Sequence, residues 1–269
     1  MKIDSIKDKI HKLNSKQEQW DNTQWKDAFF ALCSEIAYLP GAKAAPYWDA
    51  LGFSTRRFVE SKGAQCHIID SGERVVFVFR GTEPTELSDI AADLKAWKSR
   101  SYTRGKVHDG FYDEINKLWS TLIAYDTSDK KVFITGHSLG GAMATICASR
   151  MSNGGISPQL YTYGSPRVGN KRWLEYNAKC SHRRFVNCND VVPKVPPAFM
   201  GFRHHGQQCY INYHGNIRPM GIWQKIKDQW RARKRAWSKK MPFAGFTDHS
   251  SARYSQKLIN LYVNGEAKY

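Results

Sequence analysis

The chain contains 269 residues, of which 41% are hydrophobic and 24% are charged. This composition is ordinary for a folded protein and excludes a globally disordered chain. Lysine and arginine number 41 and acidic residues 24, which gives a formal net charge of +17. The length favours one large domain. The charge favours an anionic partner, but it does not choose between nucleic acid and acidic lipid.

The first twenty residues (MKIDSIKDKIHKLNSKQEQW) have scattered charges and no apolar run of signal-peptide length. We therefore expect no cleavable secretory signal, and a protein that is cytoplasmic or exported by another route and peripheral at membranes. No window approaches eighteen consecutive apolar residues, so no transmembrane helix is expected. Six cysteines without a CxxC pair favour reduced thiols and no metal site. A disulfide between Cys180 and Cys188 is the alternative for an exported protein.

The chain alternates between two kinds of hydrophobic pattern. Residues 1–22 are polar and are predicted to form a solvated extension or a short helix, ahead of one domain at 23–269. Apolar side chains at three- and four-residue spacing predict a packed helix at 25–39. Apolar runs predict strands at 74–80, 131–135, 159–163 and 184–187, and helical patterns lie between them at 111–125, 139–151 and 172–179. This alternation predicts an α/β fold with a mainly parallel central sheet flanked by helices.

A serine motif lies between one predicted strand and one predicted helix. Residues 136–141 (GHSLGG) follow the strand KVFIT and precede the helix AMATICASRM, which is the setting of a G-x-S-x-G nucleophile elbow. The helix N-terminus would direct N–H groups at the negative charge that develops during attack. We therefore predict Ser138 as the nucleophile. Thr82, which follows an early strand, and the N–H of Leu139 are predicted to form the oxyanion hole.

A serine nucleophile needs a base, and the base needs an orienting acid. In this class of fold the acid and then the histidine follow the serine along the chain. Among the downstream acids, Asp190 directly follows a predicted strand, and His249 lies at the start of the final predicted helix. We therefore predict Asp190 as the acid and His249 as the base. His204 and His205 are the alternative bases.

Several motifs in series resemble the class 3 (fungal-type) lipase family of α/β-hydrolases. They are FRGT at 79–82, DIAAD at 89–93, VHDGF at 107–111, TGHSLGGA at 135–142, YGSPRVG at 163–169, NDVVP at 189–193 and DH at 248–249. The resemblance implies an α/β-hydrolase fold and a serine acyl hydrolase of lipid esters, with no metal or organic cofactor. It also implies Ser138 as nucleophile, Asp190 as acid, His249 as base, and Thr82 with Leu139 as the oxyanion hole.

The same resemblance implies a lid at residues 83–103, in which Asp89, Asp93 and Trp97 are lid or interface residues. The stretch PTELSDIAADLKAWKSRSY is more charged than a lid that opens onto neutral oil needs to be. A strongly basic insertion also separates the predicted acid from the predicted base. Both departures favour a charged interface over triacylglycerol.

The basic insertion, at 222–241, is rich in tryptophan. Residues 221–240 contain eight basic side chains and one acid, a net charge of 8 − 1 = +7. The tryptophans recur every seven residues, nearly two helical turns, so their rings share one face of a helix. Such a helix is typical of a membrane-surface element. The alternatives are tryptophans packed on the domain and a nucleic-acid patch. The predicted membrane-binding residues are Trp223, Trp230, Trp237, Lys225, Arg231 and Arg233.

Together these inferences predict a serine acyl-ester hydrolase that acts on membrane lipids, as a phospholipase A or as a lysophospholipase or monoacylglycerol-type lipase. Its expected partners are a lipid ester and an anionic membrane surface, with nucleic acid less favoured and the oligomeric state left open. The alternatives are a triacylglycerol lipase or general carboxylesterase. From another class, the alternative is a non-catalytic basic protein that binds membranes or nucleic acid on a hydrolase scaffold.

Overall fold

The computed structural model describes residues 3–15, 20–82, 98–100, 104–177, 179–238 and 247–265. The helices are α1 (Ile3–Asn14), α2 (Thr23–Ile36), α3 (Gly41–Ala50), α4 (Asp109–Ile123), α5 (Leu139–Asn153), α6 (Lys171–Asn177), α7 (Ile222–Ser238) and α8 (Ser251–Asn264). The strands are β1 (Thr55–Ser61), β2 (Ala64–Asp70), β3 (Arg74–Phe79), β4 (Lys98–Arg100), β5 (Lys106–His108), β6 (Lys131–His137), β7 (Gln159–Tyr163), β8 (Gly169–Asn170), β9 (Ser181–Asn187), β10 (Phe202–Arg203) and β11 (Gln207–Ile211).

Seven strands form the central sheet in the order β1-β2-β3-β6-β7-β9-β11. The pairs β1–β2 and β2–β3 are antiparallel, and every pair from β3 to β11 is parallel. The prediction of a mainly parallel central sheet is therefore confirmed. A smaller antiparallel sheet has the order β10-β8-β5-β4.

Helices cover both faces of the central sheet, which explains why its inner strands are almost continuously apolar. One buried cluster joins the sheet to α1, α2, α3 and α8, and a second joins the opposite face to α4, α5 and α6. Helix α2 begins where the Asn22 side chain accepts a hydrogen bond from the backbone N–H of Trp25 at 3.0 Å, which is a standard N-cap. The predicted flanking helices are thus confirmed.

The N-terminal segment is packed rather than solvated. Helix α1 buries Ile6, Ile10 and Leu13, and the Lys9 ammonium lies 2.8 Å from the Glu35 carboxylate of α2, with both side chains almost fully buried. The prediction of a solvated extension is therefore wrong for this helix, and the short-helix alternative is the one observed. The polar composition concealed an apolar stripe with a single buried ion pair.

None of the described helices is long and apolar enough to cross a bilayer. All six cysteines lie within the described ranges and are free thiols, so Cys180 and Cys188 are not joined in this structure.

Candidate active site

The parallel strands bring the predicted site residues to one edge of the sheet. Thr82 follows β3, Ser138 follows β6, and Asp190 follows β9. Because the carboxyl ends of parallel strands lie on the same edge, three segments far apart in sequence converge there. The final helix, α8, then places His249 just before its first turn.

Ser138 occupies the sharp turn between β6 and α5. Its backbone has φ 57° and ψ −128°, a conformation that non-glycine residues rarely adopt and that is characteristic of strained functional turns. Its N–H donates to the backbone oxygen of Tyr163 at 3.0 Å, which fixes the turn to the neighbouring strand. A Cβ at Gly140 would lie 2.3 Å from the backbone oxygen of Phe79, so a glycine is needed at this position for the start of α5 to pack against the end of β3.

The two predicted oxyanion donors line one cavity beside Ser138. A Cβ at Gly81 would lie 3.2 Å from the Cβ of Ser138, so the turn that leads into Thr82 lies against the serine. Thr82 and Leu139 both line a cavity of about 330 Å³. Leu139 is the first residue of α5, where backbone N–H groups have no intrahelical partner. This geometry is suited to binding a negatively charged oxygen.

Asp190 and His249 form a fully buried hydrogen-bonded pair. The Nδ1 atom of His249 lies 3.0 Å from Oδ1 and 2.9 Å from Oδ2 of Asp190. A carboxylate accepts hydrogen bonds, so Nδ1 carries the proton and Nε2 keeps a lone pair. Among the residues that the structure describes, none hydrogen-bonds this Nε2 atom. A buried imidazole with a free Nε2 lone pair is equipped to accept a proton.

Two further donors hold the Asp190 carboxylate. The Tyr254 hydroxyl donates to Oδ2 at 2.6 Å, and the Val192 N–H donates to Oδ1 at 2.9 Å. Tyr254 is itself fixed by the Asn187 N–H, which donates to its hydroxyl at 2.9 Å. Burying a carboxylate is costly unless it is hydrogen-bonded, and these contacts satisfy that requirement. Sequence reasoning missed Tyr254, although it lies five residues after His249, within one and a half turns of α8.

His137 was missed as well, although it lies inside the serine motif. Its Nε2 atom bonds to the backbone oxygen of His249, and its Nδ1 atom lies 2.7 Å from the Tyr38 hydroxyl. The carbonyl oxygen accepts only, so Nε2 carries the proton and the Tyr38 hydroxyl donates to Nδ1. Burial and the neighbouring His249 hold the pKa of His137 well below its usual range. His137 is therefore neutral and fixes the backbone of His249.

The alternative histidines lie in other hydrogen bonds. The Nε2 atom of His204 donates to the backbone oxygen of Pro193 at 2.7 Å. The Nδ1 atom of His205 lies 3.0 Å from Nδ1 of His182. Burial lowers the pKa of His204 to about 3 and of His205 to about 4. The structure therefore brings His249, and neither of these two, to Asp190.

The predicted lid falls mostly outside the described residues, including Asp89, Asp93 and Trp97. Within that segment, only β4 is described, where it pairs with β5 in the smaller sheet.

The basic tryptophan segment forms α7, and its apolar stripe faces outward. Ile222, Trp223, Ile226 and Trp230 are 78%, 77%, 50% and 64% exposed. We call these four residues the outer face of α7. The alternative of tryptophans packed on the domain therefore does not hold for Trp223 and Trp230, whereas the Trp237 side chain lies outside the described residues. Arg231 and Arg233 are exposed, and Lys225 is half-buried with its Nζ 2.8 Å from Oε1 of Gln208.

Curated relatives of this chain are fungal lipases. It is 34% identical over 179 residues to a lipase of Rhizomucor miehei, an alignment that covers 61% of this chain and 47% of that protein. It is also 34% identical over 114 residues to the secreted mono- and diacylglycerol lipase 1 of Fusarium solani, covering 39% of this chain and 34% of the relative. The chain thus spans half or less of the length of these relatives.

The comparison corrects the predicted location. We expected a cytoplasmic protein, or one exported without a cleavable signal peptide and peripheral at membranes. Relatives from Fusarium solani and Penicillium cyclopium are named as secreted lipases, so the relatives indicate export and the prediction is wrong. The predicted location was based on the first twenty residues and on cysteine spacing, and neither feature carries information about the location of related proteins.

Solved structures and a family model agree with the fold. The Rhizomucor miehei triacylglyceride lipase superposes with a TM-score of 0.61 at 28% identity, covering 71% of this chain and 81% of that one. The lipase of Rhizopus microsporus var. chinensis gives a TM-score of 0.58 at 26% identity, covering 69% and 74%. The family model for class 3 lipases matches residues 76–200, which include the serine turn and Asp190. The chain therefore has the α/β-hydrolase fold, and its residues 76–200 match the class 3 lipase family.

Proposed function

We propose that this protein is a carboxylic ester hydrolase that works by two-step acyl transfer. The observation that carries the proposal is the buried Asp190–His249 pair at the same sheet edge as the strained Ser138 turn. Within the described part of the chain, no group hydrogen-bonds Nε2 of that imidazole. The match of residues 76–200 to the class 3 lipase model supports it, and so do relatives named as lipases.

In the first step, the Ser138 hydroxyl oxygen attacks the ester carbonyl carbon while Nε2 of His249 takes the hydroxyl proton. Asp190 keeps the imidazole in the required tautomer and stabilises its positive charge. N–H groups at Thr82 and Leu139 stabilise the oxyanion. His249 then protonates the departing alcohol, which leaves the acyl group on Ser138. In the second step, His249 deprotonates a water molecule, and the water oxygen attacks the carbonyl carbon of the acyl-enzyme. The acid is released, and His249 returns the proton to the Ser138 oxygen.

The nucleophile is tested by Ser138→Ala with Ser149→Ala as the matched control, since Ser149 is a buried serine of α5 outside the site. Loss of a triad member lowers kcat by orders of magnitude. Ser138→Ala should keep its thermal transition, lose p-nitrophenyl butyrate hydrolysis and lose labelling by a fluorophosphonate probe, whereas Ser149→Ala keeps both. Covalent labelling of folded Ser138→Ala would refute the assignment.

The base is tested separately. His249→Ala should lower kcat by several orders of magnitude. His204→Ala and His205→Ala should each cost at most about tenfold, because neither side chain reaches Asp190. If His249→Ala stays within tenfold of wild type while one of the others loses activity, the base is misassigned.

For the substrate, we propose lipid esters of a charged interface, as in a phospholipase A or a lysophospholipase or monoacylglycerol-type lipase. Relatives named as triacylglyceride lipase and as mono- and diacylglycerol lipases support a lipid ester in general. The net charge of +17 supports an anionic surface in particular. Mass spectrometry of the products from a mixed lipid extract, wild type against Ser138→Ala, would identify the hydrolysed class; release from neutral triacylglycerol alone would contradict the finer proposal.

The outer face of α7 is proposed to bind that surface. Exposed indole rings suit the headgroup boundary, and each lysine or arginine near an anionic leaflet contributes about 1 kcal/mol. The variant Trp223→Ser/Trp230→Ser should lose binding to phosphatidylcholine vesicles that contain phosphatidylglycerol. Hydrolysis of a soluble short-chain ester should stay within about threefold, because both side chains point away from the fold. Unchanged vesicle binding by the folded variant, or equal wild-type rates on neutral and anionic vesicles at low salt, would contradict the proposal.

A further inference from the structure

The inner face of α7 contacts the turn that carries the candidate acid. We call residues 187–190, which run from the end of β9 to Asp190, the acid turn. Asp228 is the single acidic residue of α7, and only 3% of it is exposed. It lies against Cys188, two residues before Asp190. Helix α7, which carries the exposed tryptophans, therefore contacts the acid turn directly.

The Asp228 carboxylate accepts hydrogen bonds from three donors on two segments: β11 with the residues that follow it, and the acid turn. It accepts from the Tyr210 hydroxyl of β11 at 3.0 Å, from the Tyr213 N–H at 2.9 Å and from the Cys188 thiol at 3.3 Å. Burial and the neighbouring Asp228 raise the pKa of Cys188 to about 12, so the thiol keeps its proton and remains a donor. The hydrogen bonds to this buried carboxylate are all made only while both segments stay in place.

A second contact holds the acid turn from the same helix. The side-chain amide of Gln229 donates to the backbone oxygen of Cys188 at 3.2 Å. Cys188 has φ 29°, a left-handed backbone conformation that is unfavourable for a residue with a side chain unless its surroundings enforce it. Its N–H donates to the backbone oxygen of Ile211 at 2.9 Å. Cys188 is thus held at its thiol, its carbonyl and its N–H.

From these contacts we propose that Asp228 is a positioning residue, which acts through Cys188 to hold Asp190 in register with His249. The proposal rests on the proposed hydrolase function, because it assigns a part in the same triad. It gives the two faces of α7 different tasks: the outer face meets the lipid surface and the inner face fixes the acid turn. Changes to the two faces must then have different kinetic signatures.

The test compares Asp228→Asn with Asp70→Asn. Asp70 is the control, because it is also buried and accepts from a tyrosine hydroxyl (Tyr125, 2.9 Å) and from a backbone N–H (Gly72, 2.7 Å); it also pairs with the Lys130 ammonium at 2.7 Å. A reacting group misplaced by about 1 Å costs roughly 100-fold in rate. Asp228→Asn should therefore lower kcat on a soluble short-chain ester by about tenfold or more, with KM within about threefold, and Asp70→Asn should leave kcat unchanged.

A spectroscopic readout separates positioning from turnover. The proton that His249 Nδ1 shares with Asp190 gives a far-downfield proton NMR signal, which should shift or broaden in Asp228→Asn and stay in place in Asp70→Asn and in Ser138→Ala. The signal needs no turnover, so it tests the positioning role even if the proposed hydrolase function fails.

Three outcomes would overturn the proposal. They are a folded Asp228→Asn with wild-type kcat, an equal loss of kcat in both aspartate variants, or an unchanged downfield signal. If Asp228→Asn does not fold, Tyr210→Phe decides, because it removes one hydrogen bond to the Asp228 carboxylate and keeps the aromatic ring. A lower kcat at unchanged KM supports the proposal, and a wild-type kcat overturns it.

Discussion

Gly164 offers a direct test of the candidate triad, because it packs against both members of the buried pair. It follows β7 with φ 59°, and a Cβ placed there would lie 2.8 Å from Oδ2 of Asp190 and 2.8 Å from Nδ1 and Cε1 of His249. Ordinary contact with a Cβ begins at 3.4 Å, so the methyl group of Gly164→Ala must displace the pair by 3.4 − 2.8 = 0.6 Å. Because the methyl approaches both groups where they meet, it acts on their hydrogen bond directly.

The expected effect follows from that displacement. A misplacement of about 1 Å costs roughly 100-fold in rate, so a displacement of 0.6 Å should lower kcat by roughly tenfold or more. The alanine also adopts a left-handed backbone conformation, at a cost of about 1–2 kcal/mol of stability. Activity on a soluble p-nitrophenyl ester, the rate of fluorophosphonate labelling and the thermal transition would be measured together.

Gly155→Ala is the matched control. Gly155 has φ 91°, but a Cβ there meets nothing within 4 Å, so this variant carries backbone strain without a clash. It should lose stability and keep kcat. A folded Gly164→Ala with kcat within threefold of wild type would refute the geometry of the pair, and an equal loss of kcat in both variants would show that strain, not displacement, is responsible.

Two further predictions concern stability. Lys9→Met leaves the buried Glu35 carboxylate without its cation, which should lower the free energy of unfolding by about 3–5 kcal/mol in denaturant. The control Lys12→Met breaks the exposed pair with Asp8 and should cost less than about 0.5 kcal/mol. Similar losses in the two variants would contradict the burial of the first pair. Burial lowers the pKa of His67 to about 4, of His204 to about 3 and of His205 to about 4. The unfolded chain therefore binds more protons than the folded one below pH 6.5, and each histidine should remove up to about 1.4 kcal/mol of stability per pH unit as the pH falls from 6.5 towards 4. A flat thermal-transition temperature across that range would contradict this prediction.

The elements predicted correctly from the sequence are those in which apolar residues form a recognisable local pattern. Strands β3, β6 and β7 are largely apolar, β9 ends in the buried Phe185 and Val186, and helix α2 has an apolar stripe and an Asn22 cap. Strands β1 and β2 were missed, because β1 is largely exposed and polar, and β2 carries His67 and Asp70 among its apolar residues. Their place is set by antiparallel pairing of β2 with β3 and of β1 with β2, and the pairing with β3 is a tertiary contact that no local pattern shows.

The convergence of Ser138, Asp190 and His249 could be predicted, because each follows or precedes a recognisable element and parallel strands share an edge. The residues that hold them could not. Tyr254 reaches Asp190 across 64 positions of sequence, and His137 reaches the His249 backbone across 112. Nothing in a tyrosine of an amphipathic helix distinguishes a packed ring from one whose hydroxyl holds a carboxylate.

The orientation of α7 was left open by its sequence, although one signal was present. A seven-residue tryptophan spacing indicates that one face of the helix is apolar, but it does not indicate whether that face packs against the core. Asp228 lies two residues from both Ile226 and Trp230, about 200° around the helix from each, and its carboxylate is buried against Cys188, Tyr210 and Tyr213. A lone acid opposite an apolar stripe, in a segment otherwise basic, therefore marks the face that docks on the protein. The apolar face then turns to solvent, which is the reverse of an ordinary amphipathic helix and the arrangement that the proposed binding to a lipid surface needs.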